Sequence, residues 1–424
     1  MNRFLLSICF GASLAAAPLL NSAWAAEPAM AAPADLPPLA AVEKTLAALP
    51  QVKAAQAEMR GAQAEHSRLK AGDHEYGLRL STQHRNVSGG PNSNEWGAAI
   101  ERGWRLPGKA GLDDRIGRQG VLAAEERVGD ARHESARQLL SLWYAARQAG
   151  LEASLWRKQT DLLKEQKRIV DVRVKRGDAA RLDQFQADAA VAQALSQSTA
   201  AQAREKAARA ELQARYPELP APDELVAQPA PPQGNAALWL ERTLAHNHEL
   251  LAAQRALEKS RLQLQRAEAN RTPDPIVGLH LANEQGGNDR IFGVSLSIPL
   301  SGEARRSQVR GQLAQAEALA EMEAATRRRL AAESAANWQR AAAGVESWQR
   351  LEEAAAAVAR HADLARRAHE LGELGLSDTL LARRTALDTQ LAAGQARLAA
   401  NEAIARLMLD AHQLWPLADD DDHH

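Results

Sequence analysis

The sequence has 424 residues, 45% of them hydrophobic but only 4% aromatic, and 52 lysines and arginines nearly cancel 53 aspartates and glutamates. That balance leaves no basic footprint for nucleic acid. The lone cysteine, Cys9, excludes a disulfide framework and a thiolate-rich metal site.

Arg3 precedes an apolar run from Phe4 to about Leu20, and Ala23-Trp24-Ala25 fits a small-residue cleavage site. Residues 1–25 therefore read as a secretory signal peptide. Cys9 lies inside the run, after Ile8, which is unlike a lipidation site, and would leave with the signal. Beyond it no apolar stretch approaches the ~20 residues of a transmembrane helix. A mature chain that spans a membrane must then do so as a closed β-barrel, because lipid leaves backbone polar groups no other partners.

Abundant Ala, Gln, Glu, Arg and Leu favour helix. After an extended segment, Glu27 to Pro38, a helix is expected over about Leu39 to Ala71, followed by two short strands. A long helical stretch runs from about Lys109 to Lys175, breaks at Gly177 and resumes from Arg181 to Tyr216. Pro217 to Gly234, rich in Pro, Ala and Gln, reads as an extended connector. The order then recurs: a helix over Ala236 to Ala269, two strands, a helix from Ala304 to Leu371, a break at Gly372, and a helix from Ser377 to His412. The tail, Asp419 to His424, is a charge run expected to be disordered.

The recurrence is also visible in residues. Thr45-Leu46-Ala47 and Ala54-Ala55-Gln56 return as Thr243-Leu244-Ala245 and Ala252-Ala253-Gln254 at one shared offset. Gly77-Leu78-Arg79-Leu80 returns as Gly278-Leu279-His280-Leu281, and Gly177 with Asp183 as Gly372 with Asp378. The chain thus divides into a signal at 1–25, a first repeat at 26–216, a connector at 217–234, a second repeat at 235–415 and an acidic, His-containing tail at 416–424.

The long helices carry seven-residue rows: Leu155, Leu162 and Ile169; Leu351 and Val358; Leu364 and Leu371. Such spacing marks helices that wind around neighbours. Each helix would reach on the order of 100 Å, more than a globular domain needs.

In Tyr76 to Arg85, Tyr76, Leu78 and Leu80 alternate with Arg79, Ser81, Gln83 and Arg85. Later, Phe292, Val294, Leu296, Ile298 and Leu300 alternate with Gly293, Ser295 and Ser297. Period-two alternation separates an apolar face from a polar one. Leu78, Leu80, Val294, Leu296 and Ile298 are the candidate lipid-facing residues, and Tyr76, Trp96, Trp104 and Phe292 lie where an aromatic girdle would sit. Four strands are too few for a membrane barrel, since single-chain barrels begin at about eight. Two copies would make a side-chain-filled barrel and three would enclose a passage.

In this order of elements the chain resembles the TolC family of outer-membrane efflux channels, over nearly its whole mature length. The duplication, the strand pair before each long helix, and the breaks Arg176-Gly177-Asp178-Ala179-Ala180-Arg181-Leu182-Asp183 and Leu371-Gly372-Glu373-Leu374-Gly375-Leu376-Ser377-Asp378 carry the likeness. Trp104-Arg105-Leu106-Pro107-Gly108-Lys109 resembles the strand-to-helix junction of the branch serving cobalt–zinc–cadmium and copper–silver pumps. The resemblance implies a mostly α fold with membrane β: a homotrimer with a 12-stranded β-barrel, four strands per chain, continued by a long periplasmic α-helical barrel. It implies a passive conduit in the outer membrane for substrates, heavy-metal cations on the branch likeness, delivered by a periplasmic adaptor and an inner-membrane pump of the resistance–nodulation–division (RND) type. No cofactor is implied. Asp378 and Asp183 become candidate periplasmic gate residues; the family's second acidic position falls on Leu381. Gly177, Asp178, Arg181, Gly372, Glu373 and Leu376 become candidate adaptor-contacting tips.

Drug or type I protein export is the alternative cargo. A periplasmic coiled-coil adaptor would need lipoyl-like β segments that are not apparent, and no catalytic constellation suggests a secreted enzyme. His246 and His248, two apart, fall on different faces of a helix, so no metal site is expected.

Overall fold

The computed structural model describes residues 32–223 and 226–415; the signal segment and the acidic tail lie outside the described residues. The first repeat runs α1 (Leu39–Ala48), α2 (Pro50–Ala71), β1 (Tyr76–Arg85), β2 (Ser93–Gly103), α3 (Lys109–Arg176) and α4 (Arg181–Arg215). The second runs α5 (Ala236–Ala245), α6 (His248–Ala269), β3 (Ile276–Glu284), β4 (Asp289–Ser297), α7 (Glu303–Glu370) and α8 (Leu376–Asp410). The same element order is thus used twice.

The first helix expected in each repeat is two helices. Pro50 occupies the first turn of α2, and Leu49 before it is extended, as a residue preceding proline prefers. In the second repeat Asn247 ends the run by accepting a hydrogen bond from the Leu250 N–H, an N-cap that starts α6 afresh.

Helices α3 and α7 are 68 residues each, about 100 Å of rod, and α4 and α8 are 35 each. The broadest core lies where the middles of α3 and α7 meet the short helices and the end of α8. There Val42, Val52, Leu139, Leu140, Tyr144, Trp239, Leu250, Leu262, Leu398 and Leu407 are fully buried. Asp35 threads the extended N-terminal segment into this core. Its carbonyl accepts from Trp143 Nε1 at 2.9 Å, and its carboxylate accepts from Tyr144 Oη at 3.1 Å and Asn401 Nδ2 at 3.2 Å.

Further along, α3 and α4 pair through small residues, Ala153, Ala194 and Ala201, around Trp156 and Leu163. The buried seven-residue row on α3 is therefore Trp156, Leu163 and Val170. In the row beside it, which the spacing alone marked as a seam, Leu162 and Ile169 are exposed, as are Leu364 and Leu371 on α7. Of the α3 row only Leu155, at its start, is buried, in the α3–α4 core.

The strands form one antiparallel sheet in the order β1-β2-β3-β4. Its register places Leu78, Ile100, Leu279 and Val294 in one cross-strand row, Tyr76, Arg102, Val277 and Leu296 in the next, and Leu80, Ala98, Leu281 and Phe292 in a third. Ile298 lies one residue beyond β4, because Pro299 cannot extend the ladder.

Candidate functional site

Four places could carry function: the sheet, the joint beneath it, the far tip of the helices, and a group of histidines between them.

The sheet is wholly uncovered on its apolar side. Leu78 is 71% exposed and Leu296 64%, and Leu80, Val294, Phe292 and Ile298 are exposed with them. The opposite face is small and polar, with Gly77, Glu101, Gly278 and Ser295 in one row. On it Arg79 pairs with Glu101 at 2.9 Å, and Arg85 bridges Glu95 at 2.7 Å and Glu284 at 2.9 Å. A soluble sheet buries its apolar face and wets its polar one; here the apolar face is left uncovered along with the polar one. Both outer strands, β1 and β4, have an unpaired edge. Among the described residues no helix is long and apolar enough to cross a membrane.

The joint below the sheet ties the repeats together. Lys109, the first residue of α3, donates from Nζ to Asp274 Oδ1 at 2.8 Å and to the Thr272 carbonyl at 2.7 Å. Asp274 also accepts from the Leu106 N–H at 3.0 Å and meets His74 Nε2 at 3.1 Å. Burial raises the Asp274 carboxyl, but the bonds from Lys109, Leu106 and His74 outweigh it and hold the group at about 2. The Trp104 to Lys109 motif is thus one half of this joint. The missing half, Asp274, had a signal in the sequence: an acid between Pro273 and Pro275 at a strand start.

At the far tip both breaks are left-handed glycine turns, Gly177 with φ 83° and Gly372 with φ 81°. The Asp178 N–H closes back to the Arg173 carbonyl at 2.8 Å, and the Glu373 N–H to Ala368 at 2.9 Å. Gly177, Asp178, Arg181, Gly372 and Glu373 are exposed. Leu376 corrects the expectation of a surface residue: it is 3% exposed, because it plugs the space between the two tips against Val170 and Ala187. Ser377 Oγ donates to Gln186 Oε1 at 3.3 Å, so the two breaks sit side by side. The two candidate gate residues differ. Asp183 is half-buried and accepts from the Ala180 N–H at 3.3 Å, as a helix-start residue. Asp378 is exposed in the first turn of α8, which has no side-chain cap. Leu381, three residues on, is exposed too.

The expectation of no metal site was drawn from His246 and His248, whereas the structure brings a different group of histidines together. His133 of α3, His248 of α6 and His412, just past α8, bring one ligand atom each to within 4.8 Å of the others. Burial first, then the neighbouring imidazoles, pushes His133 down to about 2, so it is neutral at ordinary pH.

No protein-family profile matches the sequence, and no curated protein matches it. Solved structures do match in shape. The outer-membrane channel OprN superposes with a TM-score of 0.76 at 20% identity, covering 89% of this chain and 90% of its own. The CmeC outer membrane channel of Campylobacter jejuni gives 0.74 at 14% identity, with 90% and 86% covered. CusC, studied for folding and transmembrane channel formation, gives 0.67 at 15% identity, with 88% and 91% covered. The chain thus shares the fold of these outer-membrane channels.

Proposed function

We propose that this chain is one subunit of a homotrimeric outer-membrane channel, exported by its signal peptide, whose three sheets close one 12-stranded barrel. The observation that carries the proposal is the sheet: an exposed apolar face, a polar opposite face and two unpaired edges. Edge groups cannot stay unpaired in lipid, and joining β4 of one copy to β1 of the next satisfies them. The exposed row of Leu162 and Ile169, beside the buried row of Leu163 and Val170, supports the same assembly: each helical hairpin keeps an apolar flank for the next subunit. The likeness to OprN, CmeC and CusC in shape supports it further.

The helices continue the barrel into the periplasm as a tube. Its tips, around Gly177, Asp178, Arg181, Gly372 and Glu373, meet a periplasmic adaptor that couples the tube to an inner-membrane RND pump. The subunit is a passive conduit and no enzyme; the pump supplies the energy. Asp378, repeated once per subunit, forms a carboxylate ring at the narrow end, with an apolar ring of Leu381 one turn deeper. Heavy-metal cations are the cargo class we favour, on the resemblance of the Trp104 to Lys109 junction. The test is membrane fractionation with conductance: the protein stays in the outer-membrane pellet and opens ion-conducting pores in planar bilayers. Release with the periplasm, without conductance, contradicts the reading.

A further inference from the structure

We propose that His133, His248 and His412 form a resident site for a borderline divalent cation such as Zn2+, which ties α3, α6 and the end of α8 together.

Three imidazoles from three elements converge here. Ring centroids are 4.0 Å apart for His133 and His412, 5.2 Å for His248 and His412, and 5.3 Å for His133 and His248. His133 is 5% exposed, and its Nε2 is buried with no hydrogen-bond partner. An imidazole nitrogen in that state has lost water and gained nothing, which is costly unless something fills the gap. A metal ion does so.

The surroundings are arranged for ligation. His248 Nδ1 lies 2.9 Å from Glu126 Oε2. A carboxylate in that position accepts a hydrogen bond from Nδ1–H, which keeps the proton on Nδ1 and leaves Nε2 with a free lone pair, the usual outer-shell arrangement of a ligating histidine. Gly129, one turn before His133 on α3, makes room for the second ring: a Cβ there would stand 2.6 Å from the His248 ring. His412 holds a φ of 56°, left-handed for a residue with a Cβ, a strain that persists only where the surroundings determine it. Ligation gives that strain a purpose.

Nitrogens in a tetrahedral Zn2+ site stand about 3.3 Å apart, given Zn–N of about 2.0–2.1 Å. The three nitrogens now lie within 4.8 Å of one another, so ligation would draw them inward. The fourth position is left to water; the His246 ring, 5.9 Å from His412, lies just outside the group. His248 and His412 are partly exposed, so an ion can enter from solvent. Three nitrogen donors suit Zn2+, Cu2+, Ni2+ or Co2+ and not Mg2+ or Ca2+. The site lies about 36 Å along α3 from its membrane end, far from both the sheet and the tip. It therefore stands whatever the channel carries.

The experiment is titration of the purified, chelator-treated full-length protein with Co2+ and Zn2+. A single Co2+ per subunit should give the visible absorption of a tetrahedral site, displaced by Zn2+, and Zn2+ should raise the thermal midpoint. His133→Gln and His248→Gln should abolish the Co2+ spectrum, and Glu126→Gln should weaken affinity about tenfold or more. His412→Gly relieves the backbone strain, so it should fold well and still lose the spectrum. His423→Ala with His424→Ala, in the tail, should keep it. A spectrum that survives His412→Gly, or that disappears with the tail change, overturns the proposal, as does the absence of any Co2+ binding by the folded protein. None of these results depends on channel conductance.

Discussion

Lys109 and Asp274 stand 2.8 Å apart at the joint between sheet and helices, one from each repeat, and the Lys109 side chain is only 3% exposed. The pair fixes the start of α3 against the chain leading into β3, so the first hairpin's helix is positioned by the second hairpin's strand.

Asp274→Asn leaves the Lys109 ammonium buried with neutral acceptors and no counter-charge, and breaking a buried ion pair costs about 3–5 kcal/mol. Thermal unfolding in detergent should register a loss near the lower end of that range. Lys109→Met should cost less, because Asp274 keeps Leu106 and His74.

The same carboxylate sets a pH dependence. The Asp274 carboxyl is depressed to about 2 in the folded chain, below its ordinary value of 3.8. Its contribution is therefore complete above the ordinary value and is lost as pH falls from there towards about 2. Melting temperature should drop across that window, and Asp274→Asn should flatten the drop. An unaltered acid limb in Asp274→Asn contradicts the assignment.

On the sheet, Leu296→Arg places a charge on the exposed apolar face, at a cost of about 2–4 kcal/mol per copy at mid-membrane. Ser295→Arg places it on the polar face. The first should abolish assembly and the second should assemble; equal tolerance would mean that the face does not meet lipid.

Gly177→Ala and Gly372→Ala each force a Cβ into a left-handed turn, although nothing lies within 4 Å of it. The cost is backbone only, about 1–2 kcal/mol. Trimers should still form, with looser tips that resist proteolysis less.

Asp378→Asn should reduce cation preference in low-salt single-channel recordings while leaving assembly intact, and the difference should fade as salt rises. Asp183→Asn should disturb local stability more than selectivity, since Asp183 caps its own helix.

Elements with a local cause were legible in the sequence. β1 begins and ends at Tyr76 and Arg85, where the alternation does, and the long helices stop at Gly177 and before Gly372, where the backbone turns left-handed. Pro50 was equally local, but the helical periodicity runs through it and hid the break. Which seven-residue row is buried was not legible, because Leu162 and Leu163 are both apolar and only the partner helix distinguishes them. Leu376 read as part of an exposed turn for the same reason: its cover, Val170 and Ala187, comes from the other repeat. The three histidines were missed because ligand spacing was sought along one helix, whereas they meet from α3, α6 and the end of α8.

The claim that the sheet is a third of a shared barrel is tested most directly by the mass of the protein extracted from outer membranes in mild detergent, measured by light scattering with the detergent contribution removed. The account predicts a single species at three times the mature subunit mass. A folded monomer, inserted in bilayers and stable on dilution, would contradict it.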